Sequence, residues 1–362
     1  MNIRELKVQD YRNIREAFFQ PAAELTVVCG QNGQGKTNLL EAVWLLTGSK
    51  SFRGSKDAEL IREGAPFALV EGVTEGFGKE NHTRIAVAPP SAPERRGRTA
   101  RVNGVDHGRA TNLAGLFTAV VFDPGHLSLV KGSPEGRRRF LDAALCQLYP
   151  GYLTLLRRYN RQVTQKNALL KQYERTAGAA ELLEVFDGAL AQLGEAVTQK
   201  RQEYLDSIRD EVCSTYRDIS SGREVLEIEY RPSFGPKGLL QAIWDSRARD
   251  LAAGFCTAGP HREDFSIILD GREAKVYASQ GQQRSAVLAL KLAEAAGAQK
   301  VTGEHPVMLL DDVLSELDET RQAYLLSRME HRQTIVTACD TAAFARTDGR
   351  IYRMEGGVLA AM

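Results

Sequence analysis

No apolar run in the sequence approaches the roughly 20 residues that a membrane-crossing helix needs, which argues against an integral membrane protein of the helical kind. The opening Met1-Asn2-Ile3-Arg4-Glu5 does not read as a secretory leader, so a cytoplasmic location without a membrane partner is expected. Cysteine is sparse as well. Cys29, Cys146, Cys213, Cys256 and Cys339 are scattered with no C-x-x-C pair, which argues against a disulfide framework and against a zinc site. Charge of one sign is missing too: the formal net charge is +1, so any polyanion must be held by local patches and not by the field of the whole molecule. No internal repeat appears. What remains, 362 residues with 43% hydrophobic and 26% charged, is the composition of a globular chain large enough for more than one lobe.

The most informative stretch is Gly30-Gln31-Asn32-Gly33-Gln34-Gly35-Lys36-Thr37, which matches the phosphate-binding pattern G-x-x-x-x-G-K-(S/T) at every fixed position. Residues 24–29 read as a buried strand before it, and residues 38–46 read as the helix after it. Glycines let such a loop wrap phosphate oxygens with its N–H groups, and the helix N-terminus adds partial positive charge. Lys36 is expected to reach the β- and γ-phosphates of a nucleoside triphosphate, and the Thr37 hydroxyl to ligate Mg²⁺. The apolar run Val307-Met308-Leu309-Leu310 followed by Asp311 and Asp312 reads as a Walker B strand of a parallel sheet. Asp311 is expected to hold Mg²⁺ opposite Thr37, and Asp312 to orient or deprotonate the attacking water. Because a strand alternates its side chains, both carboxylates serve only if the strand ends there.

Elsewhere the pattern divides the chain. Residues 2–8 and 16–20 read as a hairpin whose turn carries Arg12 and Asn13, either near the nucleotide or simply as a polar turn. Residues 47–56 are basic and rich in Gly and Ser, either a loop closing over phosphates or nucleic acid, or a solvated loop. Residues 67–75, 82–88 and 99–103 read as antiparallel strands, with the basic cluster Arg95, Arg96, Arg98 and Arg101 as a solvated rim or a binding surface. Residues 119–122 read as another buried strand. From residue 127 the period turns helical. Leu153, Leu156, Val163 and Leu170 mark one long helix, and Leu182, Val185, Ala189, Leu193, Ala196, Tyr204, Ile208 and Val212 mark a second, together an antiparallel hairpin. Of Arg137, Arg138 and Arg139, at least one is expected in a buried salt bridge, because the three cannot share a helix face. Residues 265–271 and 273–277 read as a hairpin, and 285–298 as an apolar helix. A helix at 318–330, a strand at 334–338 and a β segment at 350–359 close the chain. The expected organisation is an α/β nucleotide-binding head with a mixed sheet, formed by 1–125 and 254–362 together and interrupted by a mainly helical insertion at 126–253.

Gly30 to Glu41 resembles the P-loop of the RecF family and of SMC-type heads in the ABC superfamily. Ser279-Gln280-Gly281-Gln282-Gln283-Arg284 resembles the signature motif of that family, and Leu309 to Asp318 its Walker B and D-loop. Lys131-Gly132-Ser133-Pro134, Arg137 to Asp142 and Gly259-Pro260-His261-Arg262 are similar to further family segments. The likeness runs from Asp10 almost to the C-terminus. It implies an ATP- and Mg²⁺-dependent protein of DNA repair, replication-fork maintenance and the SOS response, with weak DNA-stimulated ATPase activity. It further implies an ATP-driven homodimer in which Ser279, Gln280, Gly281 and Gln282 of one copy close the nucleotide site of the other. Asp318 would lie at that interface, and Arg12, Asn13 and Asn38 near the nucleotide. Binding to DNA at single-strand/double-strand junctions is implied, with RecR, RecO and RecA in the same pathway. For phosphate contacts, Lys50, Arg53, Lys56, Arg95, Arg96, Arg98 and Arg101 are the candidates. No switch histidine can be placed after residue 338; Thr337 is the nearest polar candidate, and His261 reads as structural. The ATPase subunit of an ABC transporter is the alternative.

Overall fold

The computed structural model describes residues 1–89, 91, 97–340 and 349–362. In chain order the elements are β1 (Asn2–Tyr11), β2 (Ile14–Phe19), β3 (Leu25–Cys29), α1 (Lys36–Leu45), β4 (Ala68–Gly76), β5 (Lys79–Ala88), β6 (Gly97–Val102), β7 (Val105–Arg109) and β8 (Ala119–Phe122). There follow α2 (Ser128–Lys131), α3 (Pro134–Leu148), α4 (Pro150–Lys171), α5 (Ala179–Ile219), β9 (Leu226–Arg231), α6 (Gly238–Asp245), α7 (Arg247–Ala253), β10 (Asp264–Leu269), β11 (Arg272–Glu273) and α8 (Ala274–Tyr277). The chain ends with α9 (Gln280–Thr302), β12 (Val307–Asp311), α10 (Glu319–Ser327), β13 (Thr334–Ala338), β14 (Arg350–Glu355) and β15 (Val358–Ala361). Among the described residues no helix is long and apolar enough to cross a membrane.

Two compact units emerge, Met1–Leu127 with Arg284–Met362, and Ser128–Gln283. Residues 254–283 therefore fall with the insertion and not with the head. The reason is strand pairing: β10 runs antiparallel to β9, from Asp264 opposite Arg231 to Leu269 opposite Leu226. Within the same stretch, residues 274–277 are a helical turn where a second hairpin strand was expected, so β11 is only two residues long.

The first unit holds two six-stranded sheets. One is antiparallel, in the order β2-β1-β4-β5-β6-β7; the other has the order β15-β14-β3-β13-β12-β8. In the second sheet β14, β3, β13, β12 and β8 are parallel, and only β15 is antiparallel. Helix α1 packs on β12 and β13 of this sheet and on β1 and β4 of the other. That position explains its composition: Leu39, Leu40, Ala42, Val43 and Leu45 are all buried, so no face is left for water. The inner parallel strands are buried along their length (Thr26 to Cys29, Val307 to Leu310, Thr334 to Thr337) because both faces are covered, whereas β14 alternates buried and exposed residues.

The second unit is built on α4 and α5, which pack against each other. Its buried face runs through Leu183, Asp187, Leu190, Gly194, Val197 and Arg201. Leu182 and Val185, expected on the core face, are exposed. The register differs by one residue over 182–196, where charged groups occupy core positions, while Tyr204, Ile208 and Val212 are buried as the period predicts. Lys166 Nζ lies 2.9 Å from Asp187 and 3.2 Å from Asp250, all three buried. Arg201 makes a bidentate pair with Asp142 and donates to the Pro260 carbonyl at 2.7 Å. Arg137 is the buried member of its triplet, bidentate to Asp264 at 2.6 and 2.7 Å.

His261 belongs to this polar interior. Its Nε2 donates to the Cys256 carbonyl at 3.0 Å, and its Nδ1 accepts from the Tyr159 hydroxyl at 2.5 Å, an arrangement that needs the neutral ring. Burial, followed by the nearby Arg262 and Arg138 charges, holds its pKa down to about 4. The folded value lies below the unfolded one, so the folded state resists taking up the proton. The contribution is complete above about pH 6.5 and is lost as pH falls towards 4. Between pH 7 and 4.5 it amounts to about 2 kcal/mol. His261→Gln should flatten the decline of the urea-unfolding free energy over that interval by about this amount, and an unchanged slope would refute the assignment.

Candidate nucleotide site

The carboxyl ends of β3, β12, β13 and β8 lie side by side, with Ala338 opposite Cys29, Asp311 opposite Thr337 and Leu310 opposite Phe122. This edge is where open α/β sheets place their ligands. The P-loop leaves it from β3. Gly30 allows a close approach, since a Cβ there would lie 2.3 Å from the Met354 carbonyl oxygen. Gly35 precedes α1 with φ +116°, a backbone region that side chains strain to enter. Among the described residues nothing accepts a hydrogen bond from the N–H groups of Asn32, Gly33 and Gly35. Together with the free first-turn donors of α1 they form a nest suited to an anion.

Lys36 is buried and turned back onto its own loop, donating to the carbonyls of Gly30 (2.7 Å) and Gln31 (3.3 Å), with Asn32 Oδ1 at 3.5 Å. Asp312 Oδ2 stands 3.9 Å from the same ammonium. Thr37 Oγ1 donates to Asp311 Oδ1 at 2.9 Å, and Thr337 Oγ1 donates to that same oxygen at 2.8 Å. Thr337 Oγ1 also accepts from the Asp312 N–H at 2.9 Å. Thr337, considered in place of a switch histidine, thus bridges both carboxylate residues. Strand β12 stops at Asp311, and Asp312 takes a left-handed conformation with φ +51°, so the two side chains escape strand alternation. Burial raises the Asp311 pKa, and the neighbouring Asp312 and Asp123 charges add to it, while the two threonine hydroxyls oppose.

The Asp311 carboxylate with the Thr37 hydroxyl beside it is an all-oxygen donor set that suits Mg²⁺, which keeps several waters and takes few protein ligands. No group of three or more His, Cys, Asp or Glu able to cage a metal occurs among the described residues. The donor set therefore fits an ion shared with phosphate oxygens.

The turn between β1 and β2 does reach the loop. Asn13 Nδ2 donates to the Gln34 carbonyl at 3.1 Å, and its Oδ1 accepts from Asn38 at 2.8 Å. Arg12 instead holds the fully buried Glu41 of α1, through Nε at 2.9 Å and Nη2 at 3.1 Å, and donates to Ser55 at 2.8 Å. Gln34 is also tied to the β14–β15 turn: its side chain accepts from the Gly356 N–H at 2.6 Å and its carbonyl from the Gly357 N–H at 2.9 Å.

Sequence reasoning missed Glu41, Asp123 and Cys339 here. Asp123 follows β8 beside Asp311. Burial alone would raise its pKa, but His126, 2.9 Å away, outweighs that and holds it low. A carboxylate just after an apolar strand was the available signal. Cys339 Sγ lies 3.1 Å from Asn32 Oδ1 and 3.7 Å from Lys36 Nζ, and only the β13–β3 register brings it there.

In the second unit, Ser279 immediately precedes α9 and forms a reciprocal cap with Gln282. The Ser279 N–H donates to Gln282 Oε1 at 2.7 Å, and Ser279 Oγ accepts from the Gln282 N–H at 3.3 Å. Ser279 and Gln280 are exposed, and Gly281 lies in the first turn. In the first unit, Asp318 caps α10, accepting from the Arg321 N–H at 2.9 Å, and stays exposed.

Of the basic candidates, Lys50, Arg53, Lys56 and Arg101 are exposed, Arg53 donating to Asn38 at 2.9 Å. Arg98 is a correction: it is 7% exposed, paired with Asp57 at 3.0 Å and bonded to the Ser49 carbonyl, so it is not offered to a surface ligand. Arg95 and Arg96 lie outside the described residues.

Comparison with known proteins bears on this geometry. The model of the RecF/RecN/SMC N terminal domain matches residues 2–357. DNA replication and repair protein RecF of Halalkalibacterium halodurans is 37% identical over 99% of both chains, and that of a Synechococcus species is 40% identical over 95% of this chain and 93% of its own. The chain belongs to the RecF family. A solved structure described as the recombination mediator protein RecF-ATPrS in RecFOR pathway superposes with a TM-score of 0.91 at 32% identity, covering 100% of this chain and 98% of its own. The Smc head domain from Pyrococcus furiosus, bound to a ScpA fragment, has a TM-score of 0.55 at 16% identity over 99% of this chain and 95% of its own, a likeness of fold alone. The RecF-family ATPase head and its mixed sheet are thus both the observed fold and the fold that the motifs imply.

Proposed function

We propose that this chain is an ATP-binding, slowly hydrolysing DNA-repair protein that works as a recombination mediator. The observation that carries the reading is the meeting of Thr37 with Asp311 at 2.9 Å beside the folded-back Lys36, at the carboxyl edge of a parallel sheet. The relatives' names, DNA replication and repair protein RecF, and the ATP complexes among similar structures support it. On this reading the loop N–H groups and Lys36 take the triphosphate, Lys36 exchanging carbonyl oxygens for phosphate oxygens. Thr37 and Asp311 hold Mg²⁺, which supplies charge neutralisation at the phosphates. Asn13 and Asn38 steady the loop, Arg12 holds α1 through Glu41, and Asp312 orients the attacking water. Two copies close on ATP, with Ser279 to Gln282 of one facing the triphosphate of the other and Asp318 at the interface. The dimer binds DNA near single-strand/double-strand junctions, Lys50, Arg53, Lys56 and Arg101 being head candidates for phosphate contacts. DNA stimulates the weak hydrolysis, and with RecR and RecO the protein promotes RecA loading in repair, fork maintenance and the SOS response. A cytoplasmic location accords with that role. The full-length match to RecF relatives leaves a transporter subunit without support.

The dimer is tested at Ser279. Replacing it with alanine costs the start of α9 about 1 kcal/mol of capping, too little to unfold the unit. ATP binding by the monomer should stay within about twofold of wild type, while ATP-dependent doubling of mass by light scattering disappears. Normal dimerisation of the variant would sink the two-copy site.

A further inference from the structure

The two long helices of the second unit carry opposite charge. Helix α4 has five basic residues, Arg157, Arg158, Arg161, Lys166 and Lys171, and no Asp or Glu. Helix α5 has nine acidic residues against four basic. The simplest explanation, that the helices neutralise each other, is not what the contacts show. An ion pair between them, Lys166 with Asp187, is buried on both sides. Arg158, Arg161 and Lys171 are exposed and make no ion pair among the described residues.

Their placement is regular. Arg157, Arg161, Thr164, Ala168 and Lys171 follow one another at steps of three and four, which puts them on one stripe, with Arg158 beside it. All are exposed, and the opposite stripe of Tyr152, Tyr159, Lys166 and Leu170 is buried. At 1.5 Å per residue the stripe runs about 21 Å, the length of about six base pairs of duplex at 3.4 Å each. It offers no aromatic or large aliphatic anchor, the kind of residue on which protein–protein interfaces rely. An acidic protein would find charge there and little to bury. A sugar-phosphate backbone needs only charge and hydrogen-bond donors in a row.

We propose that the outer face of α4 is a binding surface for the phosphate backbone of duplex DNA, read without base contacts. This rests on the DNA-binding reading above and moves the main contact from the head's basic loop to the inserted unit. Arginine suits the task, since its planar fork engages phosphate oxygens in pairs.

The test uses the full chain with ATP and a fluorescent 30-base-pair duplex. Its triple variant is Arg158→Gln, Arg161→Gln and Lys171→Gln; Arg157, which makes other contacts, is left in place. Affinity is measured between 50 and 200 mM salt. Each phosphate contact contributes about 0.9 to the slope of log affinity against log salt, so the variant's slope should be shallower by about 2 to 3. Its affinity at 100 mM should be at least about tenfold weaker, with ATP binding unchanged. A control pair, Lys200→Gln with Arg209→Gln, removes cations already paired on α5 and should change affinity by less than about twofold. If wild type binds duplex and the triple variant binds equally with the same slope, this surface is refuted while DNA binding stands. Loss of an acidic protein partner without loss of duplex would refute it likewise. If wild type shows no salt-dependent duplex binding at all, the DNA-binding reading fails and takes this one with it.

Discussion

Lys36→Ala should weaken ATP binding by about 10²- to 10³-fold while the chain still folds. The ammonium makes two hydrogen bonds to loop carbonyls, at 2.7 and 3.3 Å, and on ATP binding would trade them for charged phosphate oxygens. Hydrogen bonds to a charged partner are worth about 1.5–3 kcal/mol each; two contribute about 3–6 kcal/mol, and giving up the loop carbonyls in exchange brings the net loss to the stated range. The variant also leaves the Gly30 and Gln31 carbonyls facing inward without a cation, a modest cost because the loop borders solvent at Gln31 to Gly33. Loop position does not depend on Lys36 alone. Asn13 and the β14–β15 turn hold Gln34 from two sides. Titration with a fluorescent ATP analogue, beside a thermal melt, separates the two effects. Binding within tenfold of wild type would mean that the loop's N–H groups carry the triphosphate by themselves.

How far the site could be read from sequence depends on whether each part is local. The loop Gly30 to Thr37 and the run Val307 to Asp312 are legible because each combines a fixed spacing with the apolar strand that presents it. Thr337 as the bridge between Asp311 and Asp312, Asp123 beside them and Cys339 against the loop were not, since each is placed by the register of a parallel strand from elsewhere in the chain. The S-x-x-Q spacing at Ser279, with serine and glutamine three apart before an apolar helix, carries the cap, though the stretch was read only for its likeness to a signature motif. The face of α5 was misread over residues 182–196, though not at Tyr204, Ile208 and Val212, for a physical reason. Apolar periodicity assumes that charges lie outside, and here Asp187 and Arg201 sit in the interior with Lys166 and Asp142 as partners. The same assumption placed Arg98 on the surface, where composition alone could not reveal Asp57 and the Ser49 carbonyl waiting for it. The boundary of the insertion moved for want of one pairing, β9 with β10, that no local pattern announces.

Asp312→Asn should lower kcat for ATP hydrolysis by about 10²- to 10⁴-fold, the usual contribution of a positioned general base, and leave ATP affinity within about threefold. The substitution is chosen for the backbone. Asp312 sits at φ +51°, where asparagine is among the few residues readily accommodated. Its N–H still donates to Thr337, and its carbonyl still accepts from Ser315 at 2.7 Å. What disappears is the carboxylate near Lys36, and with it the acceptor proposed for the water's proton. Alanine would confuse this outcome by straining the turn and moving Asp311. If hydrolysis is what reopens the ATP-closed dimer, the variant should also persist as a dimer long after wild type has returned to monomer. Single-turnover hydrolysis and light scattering on the same sample read both effects. A kcat within tenfold of wild type would remove Asp312 from the chemistry and point to Asp123, the other carboxylate that the sheet register sets beside Asp311. Should kcat fall while the dimer's lifetime stays short, hydrolysis and reopening are separate events, and ATP dissociation alone resets the protein.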